Sequence, residues 1–124
     1  MEDIYKIAAN GGISDAELKD ALKASLTGRT LKKVLIIPPD FTRFHSQAGR
    51  ITSIYYHLLT ERGAQVDIMP ALGTHEPVSK VQWEIMFKGI PYESMIVHDW
   101  RHDVVKIGEV PASYLEEITV PSCV

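Results

Sequence analysis

The chain has 124 residues, 45% of them hydrophobic, and a net charge of -3 from 13 basic and 16 acidic side chains. That is enough apolar material for one domain with a buried core, and it excludes an intrinsically disordered chain. The acidic balance argues against nucleic acid as a main partner, because phosphate binding wants a basic face.

The single cysteine, Cys123, leaves no intramolecular disulfide and reads as a small hydrophobe near the chain end. A reducing, cytoplasmic setting fits that count. The start, Met1-Glu2-Asp3-Ile4, has neither the basic residues nor the apolar run of a signal peptide. No stretch approaches the roughly 20 apolar residues of a membrane span.

The first predicted element is a helix over Asp15–Ser25. Ser14 and Glu17 form a capping-box pattern, Ile13 and Leu18 stand at staple positions, and Leu18, Leu22 and Leu26 recur at helical spacing before Gly28. Residues 34–37, Val-Leu-Ile-Ile, form a continuous apolar run closed by Pro38-Pro39, which predicts a strand covered on both faces. Residues 40–45 read as a polar loop. The stripe Ile51, Ile54, Tyr55, Leu58 and Leu59 predicts a second helix over about 47–62, ended by Gly63. Residues 66–69 form the next strand, stopped by Pro70. Ser79 and Gln82 make a second capping box that starts a third helix. Residues 95–97 predict a third buried strand, and residues 104–107 with 118–120 predict two further strands, a C-terminal β-hairpin.

This alternation implies an α/β fold, a Rossmann-like parallel sheet with flanking helices, in a single domain over 1–124. Parallel strands end on one edge, and open α/β sheets bind ligands there. Three polar clusters follow three strands. Asp40, Thr42 and Arg43 put a carboxylate, a hydroxyl and a guanidinium on one loop. Arginine grips a carboxylate or phosphate through two parallel hydrogen bonds, and the plain alternative is an internal Asp-Arg ion pair. Gly73, Thr74 and His75 offer close backbone approach and an acid/base side chain, or simply a polar surface loop. His98 and Asp99 begin a run with two His-Asp pairs, His98-Asp99 and His102-Asp103. It sits in a loop rather than on the rigid elements that metal ligands need, so no metal site is assigned within the chain. Pro38-Pro39-Asp40 stands where a glycine-rich dinucleotide loop would be, which excludes a nicotinamide fingerprint, and no nucleophile elbow is present.

In this order, a strand ending in Pro39-Asp40-Phe41-Thr42-Arg43, a helix and strand ending in Leu72-Gly73-Thr74-His75, and a strand ending in His98-Asp99-Trp100 resemble the nickel-dependent lactate racemase family from about Val34 onward. The family's nickel pincer nucleotide takes a hydride from the α-carbon of a 2-hydroxy acid and returns it to either face, while a histidine pair moves the hydroxyl proton. The resemblance implies that Arg43 holds the substrate carboxylate, that Asp40 lines the same pocket, that His75 is one of the two acid/base histidines, and that Thr42 and Thr74 shape the loops. The family follows Thr-Arg with proline, where this chain has Phe44-His45, and Gly-Thr-His with arginine, where it has Glu76.

Family members are several times longer. Their second histidine, cofactor lysine and nickel-ligand histidine have no counterpart before Val124, and residues 118–124 read as a strand cut in mid-course. The expectation is therefore the first part of the racemase N-terminal domain, inactive alone and retaining no cofactor. Its expected partners are a small 2-hydroxy acid and the remainder of the enzyme or a homo-oligomer, with no membrane. The competing expectation is a module that binds a small carboxylate or phosphate without catalysis.

Overall fold

The computed structural model describes residues 7, 8 and 11–119. Helix α1 (Asp15–Ser25) leads into strand β1 (Lys33–Ile36), a 3-10 segment (Phe41–Ser46) and helix α2 (Ala48–Thr60). Strand β2 (Gln65–Ile68), helix α3 (Lys80–Met86), a short 3-10 turn (Tyr92–Ser94) and helix α4 (Ala112–Ile118) follow. The order is α/β, and both capping boxes form as the sequence predicts. Ser14 accepts from the Glu17 N–H and Ser79 from the Gln82 N–H, and each N3 side chain answers the cap's backbone.

Strands β1 and β2 pair in parallel, Val34 opposite Val66 and Ile36 opposite Ile68. Residues two apart share a face, so these four side chains point the same way; Val34, Ile36 and Val66 meet the α1/α2 layer, and Ile68 enters the cluster beneath α3. One core cluster holds Leu26, Leu58, Leu59, Ala64 and Val66, and α1 closes it through Leu22 and a 2.9 Å hydrogen bond between the Ser25 and Tyr55 hydroxyls. A second cluster gathers Ile68, Leu72, Val78, Trp83, Met86, Phe87 and Ile90 beneath α3, with Tyr56 packed against both.

Trp83 centres the second cluster. It is 0% exposed, its ring centroid lies 4.7 Å from that of Phe87, and its Nε1–H donates to the Ile90 carbonyl at 2.8 Å. Trp83→Ala is expected to cost about 4 kcal/mol, from lost burial, a residual cavity and an orphaned carbonyl. Trp83→Phe, which keeps most of the ring, is expected to cost less than half as much. Urea unfolding of both variants checks the ranking.

Four expectations are corrected. The strand over 34–37 is not covered on both faces. Leu35 (47% exposed) and Ile37 (57%) look out from the side opposite α2, and Ile96 and Val97 are exposed as well. The third strand reduces to one parallel bridge, Ile68 with Met95, reinforced by the Ile96 N–H on the Ile68 carbonyl at 2.8 Å. Among the described residues no element packs on that side, and the ladder is not carried further. The C-terminal hairpin is absent among the described residues. Residues 104–110 are exposed and unpaired in any ladder, and Ile118 ends α4. The β-branched Ile118 and Thr119 suggested a strand, but Leu115 and Ile118 stand at i, i+3 beside two helix-forming glutamates, and no strand offers a ladder to join. Val120 and Cys123 lie outside the described residues. Finally, residues 40–45 are not a loose loop. Asp40 caps a helical turn, as described next.

None of the described helices is long and apolar enough to cross a membrane.

Candidate functional site

The carboxyl ends of β1 and β2 run on together. After Ile36 the chain stays extended through Pro38-Pro39, and Pro39 bridges in parallel to Ala71 beyond β2. That register sets Asp40 beside the segment that leads to His75. Asp40 then leaves the extended path as the N-cap of the 3-10 turn. Its Oδ1 accepts from the Thr42 N–H at 3.2 Å and from the Thr42 hydroxyl at 2.6 Å, and its carbonyl accepts from the Arg43 N–H at 3.0 Å.

The second oxygen, Oδ2, faces Nδ1 of His75 at 2.6 Å. His75 is brought there by a tight turn in which its N–H donates to the Leu72 carbonyl at 3.0 Å, and Gly73 supplies the positive φ of 58° that a side chain would resist. Thr74 completes the turn and is exposed.

Asp40 is 6% exposed, while the His75 side chain is 56% exposed. Burial alone would push the Asp40 carboxyl up. The Thr42 hydroxyl, the His75 hydrogen bond, the attraction of a charged His75 ring and the Thr42 N–H together outweigh it, and the carboxyl is held below its ordinary value of 3.8. An ionised carboxylate can only accept, so Nδ1 carries the proton in this bond. In the neutral ring Nε2 is then the unprotonated nitrogen.

The internal ion pair between Asp40 and Arg43, the alternative to a ligand-gripping arginine, does not form, because Thr42 and His75 occupy the carboxylate. Arg43 is exposed at a non-helical position inside the 3-10 turn (φ -104°, ψ 28°), with no ion pair among the described residues. Its guanidinium is open to a ligand anion, and the same short turn bears both it and the Asp40 cap.

The third cluster is arranged differently. Asp99 pairs with His102, Nδ1 to Oδ2 at 2.8 Å, and caps its own turn through the Arg101 and His102 N–H groups, both at 3.2 Å. The hydrogen bonds from His102 and these N–H groups hold the Asp99 carboxyl below its ordinary value. The guanidinium of Arg101 lies 4.2 Å from the Trp100 ring centre. His98 is half-buried, its Nδ1 is enclosed without a hydrogen-bond partner, and it makes no hydrogen bond to Asp40 or His75. Among the described residues, no group of three or more His, Cys, Asp or Glu side chains is placed to hold a metal ion.

Sequence reasoning placed Asp40 and His75 on one sheet edge but gave them separate tasks. A signal for their union was present. The two apolar runs, aligned as parallel neighbours, put Asp40 close in register to the Leu72-Gly73-Thr74-His75 turn.

No family model matches this chain, and no curated protein does. Among solved structures, a protein from Thermotoga maritima determined by a structural genomics consortium is similar over 69% of this chain, at 24% identity and a TM-score of 0.57. The match accounts for 21% of that protein, so this chain spans a small part of its length. At that identity the likeness concerns the fold, an α/β arrangement that recurs inside a much larger protein.

Proposed function

We propose that this chain supplies the carboxylate clamp and one acid/base histidine of a 2-hydroxy-acid racemase or epimerase, an isomerase resembling the nickel-dependent lactate racemases. The observation that carries the reading is the buried Asp40 carboxylate on Nδ1 of the half-open His75. A carboxylate behind an imidazole fixes its tautomer and orientation, which is what a group that repeatedly takes and returns a hydroxyl proton requires. Arg43 holds the substrate carboxylate in two-pronged fashion, and Nε2 of His75 takes the proton of the 2-hydroxyl. Thr42 and Gly73 shape the two turns that present them.

The reading includes a Rossmann-like sheet, supported by the parallel β1/β2 pair and the Ile68–Met95 bridge. In the family the nickel pincer nucleotide accepts and returns the α-hydride. The reading assigns the residues that would hold this cofactor to the remainder of the enzyme. The compartment consistent with this chemistry is the cytoplasm.

The test is titration of the single enantiomers of lactate and malate into the protein and into Arg43→Lys. Lysine keeps the charge and loses the fork, so affinity is expected to fall about tenfold. Equal affinity in both proteins removes Arg43 from the site. Binding that depends on Arg43 without any loss of optical purity in the full-length, cofactor-loaded enzyme leaves the simpler carboxylate-binding module.

A further inference from the structure

A cavity of about 520 Å³ opens between α1, the start of α2 and the end of α3, and includes neither Asp40 nor His75. Its volume falls within the range that takes a small organic molecule. Cations reach it from three separate elements: Lys19 on α1, Arg50 on α2 and Lys88 just past α3. Only one carboxylate lines it, Asp15, and that one pairs with Arg50. Neither Lys19 nor Lys88 has an ion pair among the described residues. Three positive charges against one negative are thus gathered at one place in a chain whose net charge is -3.

Between these cations the lining is largely apolar, with Gln47 and Ser53 as its uncharged polar side chains. Phe44 and Ile85 are large side chains left substantially exposed, and half-buried Ile54 lies between the helices. An exposed aromatic ring and an exposed isoleucine inside a concave, cation-rimmed opening match a ligand with an apolar body and an anionic end. The body removes Phe44 and Ile85 from water, and the anion meets Lys19 and Lys88. A bare inorganic anion would leave the apolar lining wet, and a neutral hydrocarbon would leave the lysines unanswered.

We infer that this cavity is a second ligand site, separate from the Asp40–His75 pair, for an organic anion with an aromatic or branched apolar body. It borders the same 3-10 turn through Phe44, one residue from Arg43.

The experiment uses anilinonaphthalene sulfonate as probe and follows its fluorescence on the intact protein. Its uncharged counterpart, phenylnaphthylamine, is titrated in parallel. Saturable one-to-one binding of the sulfonate is expected, weakened at least tenfold by the double substitution Lys19→Glu/Lys88→Glu, with less than twofold change for the uncharged amine. Both lysines are exposed, so the variant is expected to keep the parent's thermal transition. If it does not fold, Lys19→Gln and Lys88→Gln singly are expected to weaken the sulfonate about threefold each. The apolar sheet face is controlled by Leu35→Gln/Ile37→Gln, which is expected to leave the sulfonate affinity unchanged. Phenyl phosphate and phenylpropionate are then used as competitors, and whichever displaces the probe at lower concentration identifies the preferred head group. Four outcomes overturn the inference: no binding, affinity indifferent to the lysines, affinity lost with Leu35 and Ile37, or displacement by neither competitor.

Discussion

Asp40→Asn is expected, on the racemase reading proposed above, to slow racemisation of a 2-hydroxy acid by two to three orders of magnitude in the full-length, cofactor-loaded enzyme, with the fold intact. The amide is nearly isosteric with the carboxylate, so the cap on Thr42 and the position of His75 change little. What changes is the proton. The asparagine NH2 group can donate to Nδ1 and so stabilise the tautomer with Nε2 protonated, which cannot accept from a hydroxyl. Asp40 acts through His75 and is a positioning residue, so activity alone is not a sufficient readout. Nitrogen chemical shifts of the His75 ring are expected to show Nδ1 protonated in the parent and a mixed or reversed tautomer in the variant. An unchanged ring spectrum beside a lost activity would show that Asp40 matters for some other reason.

The same substitution has a stability signature with a definite sign. The Asp40 carboxyl is held below 3.8 in the folded protein. Near that pH the unfolded chain therefore binds more protons at this position than the folded one. The stability contributed by the ionised group is fully present above the ordinary value and is lost as pH falls through the lower, folded-state value. Asp40→Asn is expected to flatten this acid limb of the stability curve, measured by urea unfolding at successive pH values, whereas a surface aspartate changed in the same way leaves it in place.

Gly49→Ala is expected to destabilise the protein by about 3 kcal/mol, near the upper end of ordinary overpacking penalties. In a protein of this size that is a fall of about 10 °C in Tm. Helix propensity by itself points the other way, because alanine is favoured over glycine by about 1 kcal/mol inside a helix. The geometry decides. Gly49 stands in the first turn of α2, where α2 meets the end of α3. A Cβ there would lie 2.2 Å from the Met86 carbonyl oxygen and 2.8 Å from Met86 Cγ. The Met86 side chain can rotate away, but the carbonyl belongs to the backbone of α3 and moves only with the helix. Trp83 and Phe87 travel with it, and both are fully buried. A thermal melt of the variant separates the two effects, since a raised Tm means that α3 yields easily and that its seat on α2 is loose.

The elements legible in the sequence are those whose hydrogen bonds close within three or four residues. Ser14 with Glu17, and Ser79 with Gln82, announced two helix starts because each cap and its partner lie on one turn. The apolar runs before Pro38 and Pro70 marked two strands to within a residue, because proline leaves a strand no N–H with which to continue. The polar residues of the site were legible as types, and the parallel sheet implied one shared edge.

The tertiary structure decided the pairings. Asp40 had two roles open to it in the sequence: an ion pair with its own arginine, or a place in the lining of a ligand pocket. It takes Thr42 and a histidine 35 residues away. That choice depends on the register of β1 against β2 and on the turn that Gly73 permits, neither of which is a local property. The same holds for the segments that failed as strands. Residues 95–97 and 104–107 have strand composition, but a strand exists only when a neighbour accepts its backbone and a layer covers its side chains. Met95 finds a single bridge, and residues 104–107 find none among the described residues. Composition specified which residues are able to form a ladder. The packing of α2 and α3 on one face of the sheet, with Leu35 and Ile37 left bare on the other, decided how far the ladder runs.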